Sequence, residues 1–383
     1  MRLLWVSQDF PPDKGGVQTY SAELVQALVE RGHELEVVAP RVDGADAWDA
    51  GFVCPVHRVP VPRDTMPVAS VPQVAARLAS GRFDAAVHAQ WNTAAGGALA
   101  RRRGWIRALA IAAHGRELLW MPALGRGPYD RLRKQALAQA DRIFAVSHHT
   151  AGLVRELGVS PDRVTVVHNG THPDRFELPG VQARADALRA EHGGVIVLTV
   201  ARLVPHKGID TMLRAVAMLA PSLPQLRYVV LGRGHDRERL HRLAASLGIA
   251  GRVHWVEGAE AFELAAWLHA CDVFALMSRD RSPDVEGFGI ALLEAAACGR
   301  PAIAGRSGGI PDAVEHGVTG LLCAPERPAE IAESLRTLIV DAALRERLGR
   351  AARLRLVEQL TWGHAAARVE AALAQDIAAH TRA

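Results

Sequence analysis

The sequence has no run of about 18 apolar residues, the length a helix needs to cross a bilayer. Its first ten residues, MRLLWVSQDF, hold too short an apolar stretch and no small-residue cleavage site for a secretory leader. The expectation is a chain that neither spans a membrane nor leaves the cell by that route. Cysteine is scarce: Cys54, Cys271, Cys298 and Cys323 are scattered, with no two at metal-ligand or redox-motif spacing, and Cys271 and Cys298 fall in apolar stretches. A reducing cytoplasm is therefore the expected setting. No D-x-D triplet and no H-E-x-x-H pair occurs, which removes familiar marks of metal-dependent chemistry. Low-complexity segments and short-period repeats are missing too. Charge of neither sign dominates: the net value of +4 suits a phosphorylated ligand or an anionic membrane surface about as well as nucleic acid.

What is present is an ordinary globular composition, 49% hydrophobic and 22% charged, over 383 residues, more than one core usually serves. Short apolar runs recur at 3–6 (LLWV), 35–39 (LEVVA), 85–89 (AAVHA), 108–113 (ALAIAA), 142–146 (RIFAV) and 164–167 (VTVV), with helix-like segments between them. Such alternation predicts a parallel, doubly wound α/β sheet. The pattern restarts at 195–201 (VIVLTVA), 227–232 (RYVVLG), 252–256 (RVHWV), 272–276 (DVFAL) and 301–304 (PAIA). Residues 171–194 between the two series are polar and turn-rich, so a linker is expected near 175–190, separating Rossmann-like domains at 1–180 and 181–361 that face a cleft. A last Ala-rich helix, 362–383, could pack back on either half, the first included.

The most informative stretch is EGFGIALLEAAACG, residues 286–299. IALLEAAAC reads as a helix closed by Gly299 and Pro301, and Glu294 sits inside it with no polar neighbour from Ile290 to Cys298 to mark a solvated stripe. Burial is expected, and a buried carboxylate needs hydrogen-bond donors, which the hydroxyls of a ligand could supply. Glu286 precedes Gly287, Phe288 and Gly289, where glycines let the backbone approach a ligand and the helix start favours an anion. At about 1.5 Å of rise per residue the two glutamates lie on the order of 12 Å apart and would read two ends of one long ligand.

Three other motifs carry chemistry less specifically. Gly15 and Gly16 follow the first strand and open a helix, as a phosphate-binding start or as a plain turn. In ARLVPHKGID, Arg202 and Lys207 sit in a loop after a strand, either as a clamp on a diphosphate or as ordinary solvated charges. GRGHDRERL lacks the third glycine of a dinucleotide fingerprint and reads as a structural turn. His114, at a strand end before a glycine, is either structural or part of a site.

Together these segments resemble glycosyltransferase family 4, the retaining transferases with the GT-B fold. The likeness runs from the glycine loop through RGHELEVV, VHNGTHPDRF, ARLVPHKGID and LGRGHDRERL to EGFGIALLEAAACGRPAIAGRSGGIPDAVEHGVTGLL, so it covers nearly the whole chain. AHGRELLW and DVEGFG look closest to phosphatidylinositol mannosyltransferases. The resemblance implies that Arg202 and Lys207 hold the diphosphate of a sugar nucleotide, that Glu294 accepts bonds from the ribose hydroxyls, and that Glu286 with the amides of Phe288 and Gly289 binds the transferred sugar. His114 would face the reacting side of the sugar, and Gly16 would approach the phosphate or the acceptor. His172 departs from the aspartate common in the family and touches acceptor or hinge details.

The expected activity is transfer of a hexosyl unit, with mannosyl from GDP-mannose as the nearest resemblance, from a nucleotide diphosphate sugar to a hydroxyl acceptor. It should proceed with retention and without a metal or other cofactor. ARRRGWIR (100–107) and LLWMPALGRGPYDRLRK (118–134) combine basic side chains with Trp105, Trp120 and Met121, which suits an anionic bilayer or simply a solvated helix face beside core tryptophans. Expected partners are thus the nucleotide-sugar donor, a hydroxyl acceptor that could be lipid-linked, and an anionic membrane surface, with no nucleic acid. The expected location is the cytoplasm, peripheral on the inner face of the plasma membrane if the lipid reading holds. Alternatives are a nucleotide-sugar epimerase of the same fold and a non-catalytic nucleotide-sugar-binding protein.

Overall fold

The computed structural model describes residues 1–121 and 125–381, and the chain divides into two units. Unit 1 comprises Met1–Asn169 with Trp362–Ala383, and unit 2 comprises Gly170–Thr361.

Unit 1 is built on seven parallel strands: β1 (Arg2–Val6), β2 (Glu34–Pro40), β3 (Val56–Val59), β4 (Ala85–His88), β5 (Ala108–Ala113), β6 (Arg142–Ala145) and β7 (Val164–Val166). Their order is β3-β2-β1-β4-β5-β6-β7, so the winding reverses beside β1, where Leu3 pairs with both Leu35 and Ala85. Strands β4 and β5 are buried along their whole length, as the continuous apolar runs require when helices cover both faces. Leu4, Val6, Val38, Leu109, Ile111 and Ile143 form the centre of the core.

Unit 2 has six parallel strands: β8 (Val195–Val200), β9 (Leu226–Leu231), β10 (Val253–Val256), β11 (Val273–Leu276), β12 (Ala302–Gly305) and β13 (Gly320–Cys323). The order is β10-β9-β8-β11-β12-β13, with its reversal between β8 and β11. Both sheets are the doubly wound parallel type expected. A reversal of this kind opens a crevice at the carboxyl ends of the strands it separates, where ligands of such sheets bind. The second half of the expected linker is a helix, Val181–His192, whose Val181, Ala185 and Leu188 are buried. Its apolar residues fall three to four apart, a helical stripe that the many charged neighbours disguised. The last helix, Trp362–Thr381, packs on helix Gly16–Glu30 within unit 1. Among the described residues no helix is long and apolar enough to cross a membrane.

Candidate active site

In unit 2 the loops after β8, β9, β11 and β12 meet at the carboxyl end of the sheet. The loop after β8 runs to a short 3-10 turn, Pro205–Lys207, and Gly208 follows at φ +67°. A Cβ at Gly208 would fall 1.9 Å from the carbonyl oxygen of Met277, so glycine alone lets this loop lie on the end of β11. Lys207 then points at Glu286: its Nζ is 2.5 Å from Glu286 Oε2, which also accepts a bond from Ser278 Oγ at 2.8 Å. Both side chains are largely enclosed, 15% and 13% exposed. Burial alone would raise the Glu286 carboxyl, but the Lys207 charge and the bonds from Lys207 and Ser278 outweigh it and hold the group below its ordinary range. Neighbouring His206 is held low by burial and by the same lysine. Arg202, on the same loop, is exposed.

The glycines around the Lys207–Glu286 pair do several different jobs. Gly289, at φ +94°, is the N-cap of helix Ile290–Ala297, with Gly287 half-buried and Phe288 fully buried ahead of it. Gly234 lies where a Cβ would meet the carbonyl of Leu203, while Leu203 and Arg233 share a backbone bond of 2.8 Å. The G-R-G turn thus braces the Arg202 loop, as a structural turn does. Gly305, Ser307 and Gly309 fall at G-x-S-x-G spacing, a match easily passed over in the sequence, yet Ser307 Oγ donates to Asp280 Oδ1 at 2.9 Å and to no histidine. Instead, Gly308 at φ +53° and the Gly309 N–H, 2.8 Å from the Glu286 carbonyl, hold the Glu286 backbone.

Glu294 is half-buried rather than enclosed, while Leu292, Leu293 and Ala295 on its helix are buried. A helix of eight residues with a single polar side chain gives no stripe from which to place that side chain.

In unit 1, Gly16 starts helix Gly16–Glu30, is exposed, and has nothing within 4 Å of where a Cβ would stand. His114 ends β5. Its ring donates Nε2–H to the Ala89 carbonyl at 2.9 Å, its backbone N–H donates to Glu117 Oε1 at 2.7 Å, and the Tyr20 ring meets it edge-on at 4.6 Å. Burial holds the His114 imidazole below its usual pKa, so it is neutral with Nδ1 as acceptor. The sequence reading missed buried Asp9 after β1, which takes Arg63 Nε at 2.5 Å and Gln18 Nε2 at 3.3 Å. Its D-F-P-P context carried no spacing signal. The structure therefore gathers Lys207, Glu286 and the 287–289 turn in unit 2 and places His114 and Gly16 in unit 1.

These features define a two-unit α/β protein with a doubly wound parallel sheet in each unit, and the comparisons give the family. The profile described as Glycosyltransferase Family 4 matches residues 14–175, and that described as Glycosyl transferases group 1 matches residues 182–355. The GDP-mannose-dependent alpha-(1-6)-phosphatidylinositol monomannoside mannosyltransferase of Mycolicibacterium smegmatis is 34% identical over 378 residues, 96% of this chain and 97% of its own. The D-inositol 3-phosphate glycosyltransferase of Streptomyces avermitilis is 32% identical over 401 residues, 97% of this chain and 85% of its own. Among solved structures, Anabaena Alr3699/HepE in complex with UDP superposes with a TM-score of 0.81 at 21% identity, covering 98% of this chain and 100% of that one. Sucrose-phosphate synthase from Thermosynechococcus elongatus also gives 0.81, at 23% identity and 99% of both chains. The chain belongs to glycosyltransferase family 4, with the GT-B fold, and is a glycosyltransferase working from a nucleotide sugar.

Proposed function

We propose that this glycosyltransferase moves a mannosyl unit from GDP-mannose to a hydroxyl of a phosphatidylinositol-type lipid, with retention and without a metal ion. The observation that carries the donor half is the enclosed Lys207–Glu286 pair at the carboxyl ends of β8 and β11. A diphosphate leaving group gains negative charge as the bond to the sugar breaks, and a lysine preset in a partly dry pocket stabilises that charge more than water does. Arg202 on the same loop adds a second cation, which together with the missing D-x-D triplet supports reading the transfer as metal-independent. Glu286, kept ionised, accepts bonds from sugar hydroxyls, and half-buried Glu294 accepts them from the ribose. Gly287 gives the backbone freedom to bring the Phe288 and Gly289 amides to the sugar. His114, neutral with Nδ1 free to accept, suits a sugar hydroxyl, and exposed Gly16 suits a phosphate.

In the transfer, the C1–O bond to the diphosphate breaks, the acceptor oxygen bonds to C1 on the same face, and the acceptor proton passes to the departing phosphate oxygen. No motif supplies an evident covalent nucleophile, which favours this route. The donor and lipid acceptor rest on the names of the mannosyltransferase relatives. Support for a bilayer comes from exposed Trp120 and Met121 and from Leu132, 60% exposed, beside Arg126, Arg131 and Lys134. Residues 122–124 of that stretch lie outside the described residues, and Trp105 is partly buried against the core, as the alternative of core tryptophans has it.

The test begins with a thermal-shift panel of GDP, UDP and ADP, in which a ligand at 100 times its Kd stabilises by about 2.7 kcal/mol. GDP should stand out. Turnover of GDP-mannose with a phosphatidylinositol mannoside, with inositol 3-phosphate and with no acceptor then identifies the acceptor. Lys207→Ala should lower kcat/KM by roughly 100-fold or more, as loss of a preorganised charge does. Donor turnover unchanged in a folded Lys207→Ala protein overturns the donor site, and GDP release without any acceptor product overturns transfer to these acceptors.

A further inference from the structure

We propose that Arg279 is a positioning residue for Lys207, a latch that sets the diphosphate-binding lysine from the neighbouring loop. The inference rests on the reading of Lys207 as the donor's cation. Arg279 lies three residues beyond the end of β11 and is 9% exposed. Its guanidinium reaches both flanks of the turn that carries Lys207. Ahead of the lysine, Nη2 donates to the Pro205 carbonyl at 2.9 Å, and the Arg279 backbone N–H donates to the His206 carbonyl at 2.8 Å. Behind it, Nη2 donates to Asp210 Oδ1 at 2.8 Å and Nη1 to Thr211 Oγ1 at 3.1 Å, both at the start of helix Ile209–Leu219. Four contacts from one residue thus fix the arc from Pro205 to Thr211 with Lys207 inside it.

The chemistry of burial supports a positional role over a stabilising one. Enclosing a guanidinium and a carboxylate together gives little net stability, because desolvation offsets the attraction. Arg279 Nε has no hydrogen-bond partner, so the burial is not even fully compensated. What the arginine supplies is geometry: a planar, rigid fork that a flexible ammonium cannot reproduce. Asp210 has further cations nearby, Arg214 at 3.6 Å and Arg239 at 3.8 Å, so loss of Arg279 does not leave a bare buried carboxylate. Arg239 in turn grips Asp236, with both bonds at 2.6 Å, at the head of helix Arg237–Ser246, which links the latch to the turn bracing Arg202. A shift of the Lys207 turn by even an ångström would part its Nζ from Glu286 and from a bound diphosphate, and misplacement on that scale costs activity steeply.

The experiment is a double-mutant cycle on the full-length protein, using Lys207→Ala, Arg279→Met and the combination, with Arg279→Lys as the conservative variant. The readouts are calorimetric GDP affinity, melting temperature, and the labelling rate of Lys207 by an amine-acetylating reagent followed by mass spectrometry. Arg279→Met should weaken GDP binding about tenfold in the wild-type background and not at all in the Lys207→Ala background, with Arg279→Lys intermediate. Lys207 should be labelled severalfold faster in Arg279→Met, because the ammonium is no longer held to Glu286. An equal loss of GDP affinity in both backgrounds, or an unchanged labelling rate, overturns the latch. If Lys207→Ala binds GDP as the wild type does while labelling still accelerates in Arg279→Met, the latch stands and the donor reading falls. Should Arg279→Met fail to fold, Asp210→Asn, which weakens the same bond while keeping the guanidinium, takes its place in the cycle with the same expectations.

Discussion

Lys207 and Glu286 hold each other in a pocket that water reaches poorly, and this makes each a liability without the other. Removing Lys207 leaves a carboxylate that burial disfavours, with the Ser278 hydroxyl as its remaining short-range partner. Breaking a buried pair in this way costs roughly 3 kcal/mol. Glu286 is held below its ordinary pKa in the folded protein, so its stabilising contribution is complete above the ordinary glutamate range and disappears as pH falls through the depressed value. The gap in melting temperature between wild type and Lys207→Ala should therefore be several degrees at pH 7.5 and shrink toward pH 4. Adding Glu286→Gln to Lys207→Ala should restore part of the loss. A gap independent of pH would mean that the pair is not ionised. Gly16 separates stability from function in the opposite way. Nothing crowds the position, so Gly16→Ala at a helix start should leave the melting temperature unchanged or slightly raised. If a phosphate approaches that backbone, the same variant lowers turnover several-fold. Equal turnover would free Gly16 from any site.

Among the elements, the strand series was legible because doubly covered strands are written as apolar runs, LLWV, ALAIAA and VIVL among them. The strands left unread, β3 and β13, lie at the edges of their sheets. In β3 only Val59 of VHRV is fully buried, and GLLC of β13 opens with a glycine, so neither displays a run. The paired glutamates and the Arg–Lys loop could be picked out by residue type and spacing. What could not be read was which side chains meet: the Lys207–Glu286 contact spans 79 positions, and Arg279 with Asp210 spans 69. Long-range pairing is set by sheet order, which a linear pattern does not encode. Helix Ala95–Arg102 shows the same limit. Gly96 and Gly97 look like poor helix residues, yet they let the helix seat against its neighbours: a Cβ at Gly97 would stand 2.8 Å from Leu109 Cδ1 and closer still to the His88 ring. Gly97→Ala improves local propensity and overpacks the core. It should cost about 1–3 kcal/mol, visible as a lower urea midpoint, whereas a purely local balance would raise that midpoint.

At the scale of the whole molecule the last helix belongs to the first unit, so unit 1 is assembled from two stretches of chain that all of unit 2 separates in sequence. Helix Trp362–Thr381 buries Trp362, Ala366, Val369 and Leu373. The Trp362 ring meets Tyr20 at 6.1 Å, Arg142 grips Asp376 through two bonds, and Arg31 pairs with Glu370. Burial of the tryptophan, valine and leucine contributes roughly 1.5–3 kcal/mol each, so the helix supplies about 5–9 kcal/mol. A domain of this size has a total stability of about 5–15 kcal/mol. The helix is thus worth a large share of the stability of unit 1. A chain ending at Thr361 should lose the cooperative unfolding of unit 1, and limited proteolysis should cut within residues 1–169 while a fragment spanning 170–361 survives. GDP binding, if confined to unit 2, should persist in that fragment with Lys207 and Glu286 intact. Resistance of residues 1–169 in the truncated chain would show that the helix is an ornament rather than part of the core, and loss of both units together would show that their folding is a single event.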